Sequence, residues 1–172
     1  MSDTEAVATF NSSTVIGHVL FTQLAKGTRV TAEFSKLPPG LHGFHIHRAG
    51  DLRGEGCQGA CEHYHRGPPQ PHGSTPDSDG PRHTGDLGNI QQGKSYTFFL
   101  HKTMVRDLFG RSVIVHEDED DLGKGGFPDS HVTGHSGSRI GCAIIGRAAV
   151  THCTPVGKQK TRKVKRTHRQ SL

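Results

Sequence analysis

At 172 residues the chain has the length of one domain with its own core, and no internal repeat divides it. Apolar residues are scarce against 23 glycines and never form a long 3.6-residue pattern, which excludes a helical bundle; no apolar run approaches the roughly 20 residues of a membrane-spanning helix. The formal charge of +5 comes from the last sixteen residues, whose seven Lys and Arg face no acid; without them 14 basic residues meet 16 acidic ones, a body of about −2. The opening "MSDTEAVATF" lacks a basic head followed by an apolar core, so the expected setting is cytoplasmic.

In chain order, strands are predicted at Ala6 to Phe10, Val15 to Thr22, Arg29 to Ser35, His42 to His47, Ser95 to His101, Ser112 to His116 and Ala143 to Thr151, each edged by Gly, Pro, Asn or Asp. Val30, Ala32 and Phe34 alternate with Thr31 and Glu33, as in a strand with one buried and one wet face. About seven strands in this length predict an all-β sandwich or flattened barrel. Two segments, Ala49 to Asn89 and Glu117 to Arg139, cannot pack an apolar core alone; loops this long in a compact domain are expected to carry function. The domain is expected over residues 1–156. Residues 157–172 are expected to form a disordered basic tail serving solubility, nuclear targeting or nonspecific polyanion contact.

The run "GFHIH" at residues 43–47 puts His45 and His47 two positions apart, which on a strand means one face. His63, His65, His72, His83 and His116, with Asp86 three residues after His83, complete an inventory that suits one metal ion or two. Four cysteines, Cys57, Cys61, Cys142 and Cys153, are consistent with free thiols and allow three ways of forming two disulfides. Their spacing offers no C-x-x-C zinc or redox motif.

Five blocks in order, "GFHIH", "HRGPPQPHG", "RHTGDLGN", "VIVHEDEDDLGKGG" and "TGHSGSRIGCAIIGRA", resemble the signature of the copper/zinc superoxide dismutases from residue 5 to about residue 152. The resemblance implies a Greek-key β-sandwich with two long functional loops. It further implies dismutation of superoxide to oxygen and hydrogen peroxide by alternating reduction and reoxidation of copper. Copper would be held by His45, His47, His63 and His116, and zinc by His63, His72, His83 and Asp86, with His63 shared. Asp120 would bond the free nitrogens of His45 and His72, and Cys57 and Cys142 would form the disulfide. Cys61 and Cys153 fall outside the pattern, as free thiols or a second bridge. Arg139 would hold the anion, and His63 would also carry protons.

Departures from the family pattern accompany the match. Val132 stands at the usual steering lysine and Pro128 at one of a pair of acids, so steering is expected to be weaker or rearranged, with Lys124 and His131 as nearby substitutes. The segment between Asn89 and Gly110 is shorter than usual. The loop Gly50 to Arg53 and "VTHCT" resemble the family's dimer surface, which implies a homodimer. Competing readings are a copper-handling protein on the same fold, which the four copper positions disfavour, and a scaffold whose basic tail binds polyanions.

Overall fold

The computed structural model describes residues 4–149. The basic tail, Cys153 and the "VTHCT" segment lie outside these described residues, as does the end of the last predicted strand. Among the described residues, nine antiparallel strands form two sheets. In the first, β1 (Glu5–Asn11), β2 (Ile16–Leu24), β3 (Gly27–Lys36), β6 (Ser95–His101) and β9 (Gly146–Arg147) lie in the order β6-β3-β2-β1-β9. In the second, β4 (His42–His47), β5 (Asp86–Ile90), β7 (Ser112–His116) and β8 (Arg139–Ile144) lie in the order β5-β4-β7-β8. The chain crosses between sheets after β3, β5, β6 and β8, a Greek-key sandwich.

The pleat decides what lies between the sheets. Val30, Ala32 and Phe34 of β3 are buried while Arg29, Glu33 and Ser35 face water. Ala6, Ala8 and Phe10 of β1 and Val19 and Phe21 of β2 join them against Phe44, Ile46, Leu87, Val113 and Val115 of the opposite sheet. Phe10, Phe34, Phe44 and Phe98 run through this core with successive ring centroids 5.3, 5.8 and 6.1 Å apart in tilted and edge-on packing.

β4 is buried along its whole length because both its faces are covered. Phe44 and Ile46 enter the core, and the alternate residues His45 and His47 turn outward beneath the long loops. Two strand expectations need correction. The predicted irregular segment Ala49 to Asn89 ends in β5, which pairs with β4 and sets Asp86 opposite His45. The predicted strand Ala143 to Thr151 begins at Arg139, and the chain then leaves its sheet so that Gly146 and Arg147 pair with β1. Between β5 and β7 the shortened segment holds one strand, β6, at the edge of its sheet, and a 3-10 turn, Val105–Asp107.

Candidate metal centre

Two loops fold over the outer face of the second sheet, and backbone bonds fix how each arrives. The loop after β4 returns so that His63 forms a bridge with His47, while Tyr64 N–H donates to Ile46 at 2.7 Å and Gly85 N–H donates to Tyr64 at 2.8 Å. The same loop is tied to β8 by the Cys57–Cys142 disulfide, with Cα atoms 6.7 Å apart. The loop between β7 and β8 contains one short helical turn, α1 (Ser130–Thr133), and meets the first loop where His72 N–H donates to the His131 carbonyl at 2.8 Å.

These paths bring His45, His47, His63 and His116 into one group and His63, His72, His83 and Asp86 into a second, with one ligand atom from each residue lying within 4.8 Å of the others in its group. In the second group Asp86 Oδ1 lies 2.8, 3.1 and 3.3 Å from the Nδ1 atoms of His63, His72 and His83, and the His63 and His72 Nδ1 atoms are 3.2 Å apart. A tetrahedral zinc ion with bonds of about 2.0 Å requires donor atoms about 3.3 Å from one another. These four separations come near that size, and all the donor atoms lie within 4.8 Å of one another.

In the first group the free ring nitrogens are fixed by what the others do. His45 Nε2–H donates to Asp120 Oδ2 at 2.8 Å, His47 Nδ1–H to the Cys61 carbonyl at 2.8 Å, and His116 Nδ1–H to the Gly137 carbonyl at 3.2 Å. Their remaining nitrogens, His45 Nδ1, His47 Nε2 and His116 Nε2, are buried with no hydrogen-bond partner. Such atoms are costly in a folded protein unless a ligand satisfies them. His63 spends Nδ1 on the Asp86 side, which leaves Nε2 for this group.

Electrostatics favours lone pairs over protons in the first group. Burial, then the neighbouring imidazoles, holds His45 well below its ordinary pKa, and burial and His63 do the same to His47. Burial lowers His63 and takes His116 down to about 4. His72 is the exception: burial opposes its charge, but Asp120 and Asp86 outweigh it and raise the pKa to about 9. Burial likewise opposes the Asp86 charge, yet hydrogen bonds from three histidines keep that carboxyl far below the usual carboxylate range.

The family model for copper/zinc superoxide dismutase matches residues 15–145. The "Superoxide dismutase [Cu-Zn]" of Paramecium bursaria Chlorella virus 1 is 42% identical over 150 residues, spanning 81% of this chain and 76% of that one. The chain belongs to the copper/zinc superoxide dismutase family. A solved structure titled "Crystal Structure Analysis of the clock protein EA4" superposes with a TM-score of 0.71 at 34% identity, over 84% of this chain and 95% of that one. Copper and zinc are thus the cofactors, and the chemistry of the two donor sets fits them: imidazoles for a redox ion, imidazoles with one carboxylate for zinc.

In this superoxide dismutase a cavity of about 510 Å³ opens onto His47, His63 and His116, with Arg139 in its wall. The Arg139 guanidinium is held from behind, Nη1 donating to the Cys57 carbonyl at 2.7 Å and Nη2 to the Cys61 carbonyl at 2.6 Å. Val132 lines the same cavity and is 63% exposed. Asp129 also lines it and pairs with His135 at 2.7 Å, while Lys124 and His131 are exposed and are not among the lining residues. Asp120 spans the two groups, accepting from His45 at Oδ2 and from His72 at Oδ1, each at 2.8 Å. Cys61 is a free thiol.

Sequence reasoning missed three positions that shape the centre. Asn89 holds Asp120 by its backbone, accepting from the Asp120 N–H at 2.7 Å and donating to its carbonyl at 2.8 Å. Gly134, at φ +68°, leaves no room for a side chain: a Cβ there would sit 2.1 Å from Asp120 Oδ1 and 2.4 Å from His72 Nε2. The Cys61 carbonyl serves both His47 and Arg139. Asn89 and Gly134 lay within or beside the quoted blocks, but nothing in their residue type announced a contact with Asp120.

Proposed function

We propose that in this superoxide dismutase His45 Nδ1, His47 Nε2, His63 Nε2 and His116 Nε2 would hold copper, and that His63, His72 and His83 through Nδ1, with Asp86, would hold zinc. One observation carries the assignment: three buried imidazole nitrogens converge without any protein partner. Copper bound there would supply one-electron exchange in both directions, and zinc would supply fixed positive charge.

The chain's own groups do the rest. Arg139, clamped by two carbonyls, presents its outward N–H donors to the superoxide anion beside the three imidazoles. His63 carries a proton on Nε2 when that nitrogen is free and gives it to the reduced oxygen species, so that two superoxide ions and two protons become oxygen and hydrogen peroxide. With Nδ1 committed to the site that Asp86 shares, the His63 ring would stay aligned through that exchange. Asp120 sets the rings of His45 and His72 and thereby their free nitrogens.

Metal analysis paired with a superoxide-decay assay tests this. About one copper and one zinc per chain, with activity lost on chelation and restored by copper, is the expected result. Full metal loading with no change in superoxide lifetime would refute it. We also propose a homodimer, supported by the resemblance of the loop at residues 50–53 to the family's dimer surface and by Ile144, 49% exposed on β8. Sedimentation at micromolar concentration is expected to give twice the chain mass.

A further inference from the structure

The cavity above the imidazoles must admit an anion, yet its wall carries acids. Among the described residues that line it, Glu62 and Asp129 are carboxylates, Val132 is an exposed apolar side chain, and Arg139 is the sole Lys or Arg. Glu62 is fixed in place by the backbone that carries the imidazoles. The His47–His63 bridge sets Arg48 across from Glu62, and Arg48 N–H donates to the Glu62 carbonyl at 2.9 Å. The side chains then meet, Arg48 Nη1 donating to Glu62 Oε1 at 2.6 Å. Both are about 60% exposed, 60% and 62%, so the pair adds little to stability. Its effect falls on the potential at the cavity mouth.

We propose that Glu62 and Arg48 together set the rate at which an anion enters: Glu62 repels it and Arg48 offsets that repulsion. The proposal rests on the dismutase reading. Among the described residues that line the cavity, Val132 adds no charge, and Arg139 is the one Lys or Arg that shares the wall with Glu62. Exposed charges act over about 8–10 Å at ordinary salt, so the effect is short-ranged and disappears at high ionic strength.

The test uses the copper- and zinc-loaded protein, with kcat/KM for superoxide and azide affinity per bound copper, read by absorbance, as separate readouts. At low ionic strength Glu62→Gln is expected to raise both about two- to threefold and Arg48→Gln to lower both by a similar factor. The double variant is expected to return close to the parent, and all differences are expected to vanish near 0.5 M salt. Because azide affinity is counted per bound copper, incomplete loading of a variant does not disturb it. Val132→Lys, at an exposed position, should add to the gain. Glu62→Gln and Arg48→Gln shifting azide affinity in the same direction, or neither shifting it at low salt, would overturn the proposal. Absence of superoxide removal by the loaded parent would defeat the dismutase reading, while the azide arm still decides the role of the rim charges.

Discussion

Asp86 gathers three imidazole Nδ1 atoms on one carboxylate oxygen, and its other oxygen is held by the N–H groups of Gly73 and His83 at 3.1 and 2.8 Å. Nothing about that aspartate is left free to rotate, which is what a rigid zinc seat requires. Asp120 is steadied less directly, through Asn89. Asn89→Ala removes both of those backbone bonds, and zinc affinity is expected to fall roughly 10- to 100-fold in a competition titration with a chelator. Arg139→Lys replaces a fork matched to two carbonyls by a single ammonium; activity is expected to drop about tenfold, with copper and zinc content unchanged. Cys61 lies at φ +63° and ψ −150°, backbone that glycine adopts and other residues resist. Cys61→Gly is therefore expected to raise stability by about 1 kcal/mol in urea denaturation while leaving its carbonyl in place. The residues of the two clusters were legible in the sequence through the family resemblance, since the histidine inventory alone did not sort them. The choice of nitrogen was not, since it depends on carbonyls and carboxylates that only the fold brings near.

β4 shows why the strand reading succeeded where it did. Its two faces differ in chemistry, Phe44 and Ile46 against His45 and His47, and period two alone separates them. β5 offered no such signal. "DLGNI" is five residues long, contains Gly88 at φ +83°, and becomes a strand through pairing with β4. A Cβ on Gly88 would meet the Thr75 side chain at 2.6 Å, so packing as well as backbone demands glycine there. Burying Asp86 and Leu87 on successive positions likewise hides the alternation that a sequence reader needs. The disulfide links elements 85 residues apart in sequence and anchors the loop that presents the Cys57 and Cys61 carbonyls. Breaking it by Cys142→Ser is expected to cost about 4–5 kcal/mol on a chain-entropy basis and to lower Tm by roughly 10 °C or more in calorimetry.

Across the whole molecule, the metal-free protein carries opposed titrations. His45, His47, His63 and His116 are held below the ordinary value of 6.5, so below pH 6.5 the unfolded chain takes up protons that the folded chain refuses, and stability falls toward pH 4. His72 acts with the other sign: raised to about 9, its contribution is complete below pH 6.5 and is lost as pH climbs through 9. Each group contributes up to about 1.4 kcal/mol per pH unit. Urea midpoints of the metal-free chain are expected to peak near pH 6.5–7 and to decline on both sides, more steeply toward acid because four histidines oppose one. A sandwich or flattened barrel and the two long loops were readable from alternation and punctuation, whereas the Greek-key order came only with the family resemblance. The rim of the cavity was readable only in part, because Glu62 and Arg48, fourteen residues apart, become neighbours through the bridge between His47 and His63. The peptide oxygen of Cys61, finally, steers a metal-binding ring and an anion-gripping arm at once. Rotating that one amide plane would detune both together, so a disturbance at Cys61 is expected to surface as simultaneous copper leakage and weakened anion capture.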